Sequence, residues 1–148
     1  MSKAEKASEL FNNYNCAQSV IGAYAEDFKL KKDTALSVAT GFGGGMGRLQ
    51  ETCGAVSGAI MVLGLSSDFR EGDGRDKIDA VYANVRSFVE DFKKEKGTVK
   101  CRDLLGCNLL TEEGHKFFVE NKLRENCRCY IKFACELLDK YLAHSPTC

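Results

Sequence analysis

Cysteine supplies most of the reactive chemistry this chain can offer. Eight cysteines stand among 148 residues, beside two histidines and no tryptophan. Cys53 lies in Glu51-Thr52-Cys53-Gly54-Ala55-Val56-Ser57-Gly58, directly after the glycine-rich run Gly41-Phe42-Gly43-Gly44-Gly45-Met46-Gly47. Thr52 is a candidate N-cap, so the pattern predicts a thiol at the start of an apolar helix over 53–63. Unpaired N–H groups at a helix start carry partial positive charge and favour a thiolate. Cys127 follows a second N-cap candidate, Asn126. Cys101 opens a short helical stretch between Lys100 and Arg102. Three thiols at three predicted helix starts, two of them beside cations, exceed what burial of a small apolar side chain requires. The chemistry implied is that of a thiolate: nucleophile, redox couple or metal ligand.

The remaining cysteines carry weaker signals. Cys16 reads as mid-helix and gains meaning only if its helix faces Cys53. Cys135, within Phe133-Ala134-Cys135, reads as packing. Cys129 is two residues from Cys127 and so points to another side of a helix. Cys107 falls in a loop after Gly106, and Cys148 ends the chain as an exposed thiol. The sequence holds no Cys-x-x-Cys, which excludes a thioredoxin-type active site and a zinc-knuckle pair. Any dithiol or metal site must therefore be assembled from distant segments.

The glycine run has no Gly-Lys-Ser/Thr ending, no Gly-x-Gly-x-x-Gly match and no preceding strand, so it is not a phosphate loop. Its expected role is to let the backbone pass close to Cys53 or to a bound group. Arg48, beside it, is a candidate for holding an anion. His115 and His144 read as surface residues. The carboxylates form no acid/base pair, and Asp73-Gly74-Arg75-Asp76 lacks the further ligands of a calcium loop.

The elements that must position these thiols read as helices throughout. Leu10, Phe11, Tyr14, Ala17, Ile21, Tyr24 and Phe28 form one stripe, which predicts a single amphipathic helix over 3–28. Asp33 is the expected cap of a helix over 34–40. The 53–63 helix, rich in Gly, Ala and Ser and stopped by Gly64, is expected to be central. A polar loop over 66–74 precedes a long helix over 76–96, with Ile78, Val81, Tyr82, Val85, Phe88, Val89 and Phe92 facing inward. A short helix over 98–106 follows, then one capped by Thr111 and a last one over 127–143. The expected architecture is all-α: a compact single-domain bundle of about five to seven helices spanning 1–148.

Lys+Arg and Asp+Glu both number 21, and no basic stripe appears, which argues against nucleic acid as a partner. The longest apolar run, 54–65, falls short of the roughly 20 residues a membrane span needs. No apolar signal core follows Met1, so a cytoplasmic setting with reduced thiols is expected. Small-residue helix faces leave a homodimer open.

Taken in order, Asn15-Cys16-Ala17-Gln18-Ser19-Val20, the glycine run 41–47, Cys53-Gly54-Ala55-Val56-Ser57-Gly58, Cys101-Arg102-Asp103-Leu104-Leu105-Gly106 and Cys127 resemble the C_GCAxxG_C_C family of redox-active proteins. The resemblance spans about residues 8–142. It implies a helical fold, a bacterial or archaeal source and four defining cysteines, which fall on Cys16, Cys53, Cys101 and Cys127. Cys129 competes with Cys127 for the last place. A redox-active protein is implied, with no named substrate or redox partner. Two chemistries stay open. In the first, Cys53 is the attacking thiolate and Cys16, Cys101 or Cys127 resolves it, in thiol–disulfide exchange or electron transfer. In the second, the four thiols bind zinc or an iron–sulfur cluster. A non-catalytic helical scaffold is the third reading.

Overall fold

Eight α-helices follow one another among residues 1–143, the part of the chain that the computed structural model describes. They are α1 (Lys3–Leu10), α2 (Cys16–Tyr24), α3 (Lys32–Ala39), α4 (Gly54–Ser66), α5 (Arg75–Lys96), α6 (Cys101–Leu105), α7 (Glu112–Glu120) and α8 (Leu123–Ala143). Two 3-10 turns, Ala25–Phe28 and Thr40–Phe42, and a glycine turn at Gly43–Met46 complete the regular structure. The described residues hold no strand, only one isolated bridge between Thr52 and Lys100. The fold is all-α, with one more helix than expected. His144 and Cys148 lie outside the described residues.

The extra helix arises because the expected 3–28 helix is two. The chain turns at Asn12-Asn13-Tyr14, and Asn15 begins again as an N-cap. Its Oδ1 accepts from the Gln18 N–H at 2.9 Å, and the Gln18 Oε1 accepts from the Asn15 N–H at 3.0 Å. This reciprocal pair satisfies two otherwise orphan donors and fixes a helix start. Cys16 is therefore the first residue of α2, not a mid-helix residue.

The core centres on α2 and α4, which share the most extensive helix contact in the molecule. Residues Gly54 to Ala59 of α4 are buried without interruption, as suits a helix apolar on every side. Gly58 allows the approach. A Cβ there would lie 2.8 Å from the Ala17 carbonyl oxygen and 2.9 Å from the Val20 Cβ. Helices α1 and α8 close the other side, α3 packs on α2, and α5 docks on α4 and α8. Phe88 and Phe92 of α5 are fully buried, and Phe92 meets Phe133 of α8 at 5.4 Å between ring centroids. Tyr82, expected inside, is instead 52% exposed, because the N-terminal half of α5 extends past its neighbours.

Other boundaries moved by a few residues. Cys53, not Thr52, is the N-cap of α4, and that helix runs past Gly64 to Ser66. Lys31 caps α3, leaving Asp33 in its first turn. Thr111 caps α7 as expected, its Oγ1 accepting from the Gly114 N–H at 3.0 Å. Helix α8 begins at Leu123, after Lys122 in the left-handed region, so Asn126 is not a cap and Cys127 sits in the second turn.

A candidate cysteine-lined cavity

Cys16, Cys53, Cys101 and Cys127 come from four separate elements and line one cavity of about 350 Å³. Asn15, Thr40, Arg48, His115, Arg124 and Tyr130 complete the polar part of its wall. The other described cysteines do not line it. Cys135 is buried elsewhere, Cys129 is exposed on α8, and Cys107 lies part-buried beyond α6. Cys127 thus faces the cavity, whereas its competitor Cys129 faces away. No disulfide joins the described cysteines.

Local backbone chemistry explains how the thiols meet. The segment before α4 and the segment before α6 are zipped together in antiparallel fashion. The Cys53 N–H donates to the Val99 carbonyl at 2.7 Å, and the Cys101 N–H donates to the Glu51 carbonyl at 2.7 Å. Two cysteines 48 positions apart are thereby held side by side. Gly54, immediately after Cys53, clears room for the third thiol-bearing residue: a Cβ there would stand 2.9 Å from the Cys16 Cβ. Cys127 reaches the same space from α8, its helix anchored by Arg124 and Arg128. Both guanidiniums lie over the Phe11 ring, at 4.0 and 5.3 Å from its centroid. Arg124 donates to the Phe11 carbonyl, and Arg128 to the Ser8 carbonyl and the Asn12 side chain.

The glycine run forms a left-handed turn along the cavity wall. Gly44, Gly45, Met46, Gly47 and Arg48 all have φ between 60° and 70°. L-residues resist this conformation by roughly 1–2 kcal/mol each, which is why glycine fills most of the turn. Gly45 is doubly constrained, since a Cβ there would meet the Cys101 Cβ at 2.8 Å and the Gln50 Cα at 2.7 Å. The close approach expected toward Cys53 is made to Cys101 instead. Gln50, also left-handed and fully buried, then ties down the next loop. Its Nε2 donates to the Cys107 carbonyl at 2.8 Å, and its Oε1 accepts from the Leu109 N–H at 2.8 Å. Nothing in composition or spacing singled out Gln50. A polar residue two positions after a glycine-rich turn was the only available signal.

The electrostatics separate the four thiols. The Cys16 thiol donates a hydrogen bond to Cys127, and this, with the Arg124 guanidinium, holds Cys127 below the ordinary cysteine range. The same bond fixes the proton on Cys16, whose pKa rises well above the usual value, with burial adding to it. Burial pushes Cys53 up to about 11. The Ala55 and Val56 amides at the start of α4 oppose that rise, but desolvation wins. Cys101 is pushed up to about 12 by burial and by the neighbouring Cys53 and Cys127, against a hydrogen bond from Gln50. A helix start therefore does not make Cys53 the most acidic thiol; a donor and a cation give that place to Cys127.

Among the described residues, no three His, Cys, Asp or Glu side chains are gathered closely enough to hold a metal ion. His115, read as a surface residue, is exposed but stands at the cavity wall. No helix among the described residues is long and apolar enough to cross a membrane.

Comparison with known proteins identifies the family of the chain. The sequence signature of the family described as "Putative redox-active protein (C_GCAxxG_C_C)" matches residues 14–141. A protein of Archaeoglobus fulgidus described as "Uncharacterized protein" is 32% identical over 116 residues, covering 70% of this chain and 77% of its own length. No solved structure matches the chain. A match over most of its length places this chain in the C_GCAxxG_C_C family of redox-active proteins.

Proposed function

We propose that this protein is a dithiol redox carrier whose working couple is Cys127 and Cys16. The observation that carries the reading is that both thiols face one cavity within electrostatic reach of each other, which lowers the Cys127 pKa and raises that of Cys16. An exchange reaction needs one thiolate to attack and one nearby thiol to resolve the mixed disulfide. Cys127 attacks; Cys16 resolves. Cys53 and Cys101, at about 11 and 12, stay protonated at neutral pH and keep the wall uncharged.

A second reading is favoured by a different observation. Four thiols from four elements line one cavity of about 350 Å³, and cysteine thiolates are the ligands that hold iron–sulfur clusters. Cys16, Cys53, Cys101 and Cys127 would be the ligands, Arg124 would offset part of their charge, and the group would supply one-electron transfer.

Elemental analysis of protein purified without oxygen tests the two. The dithiol reading expects protein free of iron and zinc that takes up and releases two electrons through its thiols. Near-stoichiometric metal, lost in Cys53→Ser or Cys127→Ser, would replace it with the cluster reading.

A further inference from the structure

We infer that the cavity is built for a small anionic disulfide and that Arg48 receives its negative group. This rests on the dithiol reading and adds to it the class of substrate.

Charge, size and an uncommitted cation support the assignment. Arg48, Arg124 and His115 line the cavity, and no Asp or Glu does. With Cys16, Cys53 and Cys101 protonated, two guanidiniums face the single Cys127 thiolate, and the wall keeps a net positive charge. Arg124 is already engaged, through the Phe11 carbonyl and ring and through Cys127. The Arg48 side chain has no hydrogen bond or ion pair among the described residues, its backbone N–H alone donating to the Gly43 carbonyl. It is nonetheless held in place at φ 65°, a conformation that a long side chain resists. Gly44 makes that placement feasible, because a Cβ there would lie 2.8 Å from the Arg48 Cγ. A strained residue placing an unpaired cation at the wall of a cysteine-lined cavity is the kind of outlier from which function is inferred. The cavity volume, about 350 Å³, is near the lower end of the range for small-molecule sites, roughly 300–1,000 Å³. A small disulfide is of the size that such a space takes.

The step balances as follows. The Cys127 thiolate attacks one sulfur of the anionic disulfide, forming a mixed disulfide and releasing one thiolate, which takes up a proton. Cys16 loses its proton to solvent and attacks the Cys127 sulfur, expelling the second thiolate. The protein dithiol is oxidised by two electrons to one disulfide, and one small disulfide is reduced to two thiols.

The test uses the reduced full-length protein and three probes: dithiodiglycolate (anionic), 2-hydroxyethyl disulfide (neutral) and cystamine (cationic). Each rate of dithiol loss is divided by the rate of the same probe with free cysteine. The expected order is anionic, neutral, cationic, with an anionic-to-neutral ratio of roughly tenfold, the size of one charge contact at a partly shielded site. The ratio should shrink as salt rises. Arg48→Gln should bring it close to one, and Arg48→Lys should keep most of it. A ratio near one in the wild type, or one that survives Arg48→Gln, would overturn the assignment. Inertness to all three probes, while urea-unfolded protein reacts, would overturn the dithiol reading and this assignment together.

Discussion

At the scale of single residues, the thiols differ by their surroundings and not by their type. Cys127 is held below the ordinary range by the Cys16 donor and by Arg124. Iodoacetamide at neutral pH should therefore modify Cys127 first among the cavity cysteines. Cys16→Ala should slow that reaction several-fold, because losing the donor raises the Cys127 pKa; peptide-resolved alkylation kinetics measure both. The opposite sign holds for Cys53, Cys101 and Cys135, raised to about 11, 12 and 12. Folded, they keep their protons above pH 9; unfolded, they lose them near the ordinary value of about 8.5. The folded state then binds more protons, so stability must fall as pH rises from about 8.5 towards 11. The slope is about 1.4 kcal/mol per pH unit for each group. Thermal unfolding under reducing conditions at several alkaline pH values should show the decline. Sequence reasoning named the four cavity cysteines through the family pattern, yet it ranked Cys53 as the most acidic. It counted the helix-start amides, which are present, and could not weigh the burial that outdoes them.

At the scale of elements, the motif around Cys53 is a packing device as much as a chemical one. Gly54 and Gly58 share a face of α4, and both lie against α2, the first under Cys16 and the second under Ala17 and Val20. Gly58→Ala should destabilise the protein by about 1–3 kcal/mol through overpacking. Gly64, in the same helix, has open space where a Cβ would go. Gly64→Ala should leave stability unchanged or raise it by up to about 1 kcal/mol, from helix propensity alone. Denaturant titration of the pair separates close packing from a general aversion to glycine in helices. The long periodic helices α5 and α8 were legible because a 3.6-residue pattern persists over many turns. The break at Asn12–Asn15 was missed, although Asn15 and Gln18 have the residue types and spacing of a capping box; a continuous apolar stripe across it hid the signal. The start of α8 was misplaced because Asn126 looks like a cap, while Leu123, Arg124 and Glu125 already belong to the helix.

At the scale of the whole molecule, the fold brings four distant segments to one cavity. Antiparallel pairing joins the segments before α4 and α6, the glycine turn lies against Cys101, and the Phe11 ring beneath two arginines anchors α8. No stretch of sequence shorter than residues 16–127 contains all four thiols, so spacing alone could not show that they meet. The central claim is that Cys127 and Cys16 form one redox couple. The most direct measurement equilibrates the protein across a series of dithiothreitol redox buffers, traps free thiols by alkylation, and maps the linked peptides by mass. The account predicts that two of the eight thiols disappear together in a two-electron transition and that the linked peptide joins Cys16 to Cys127. Eight free thiols at every potential, or a disulfide between another pair while Cys16 and Cys127 remain alkylated, would contradict it.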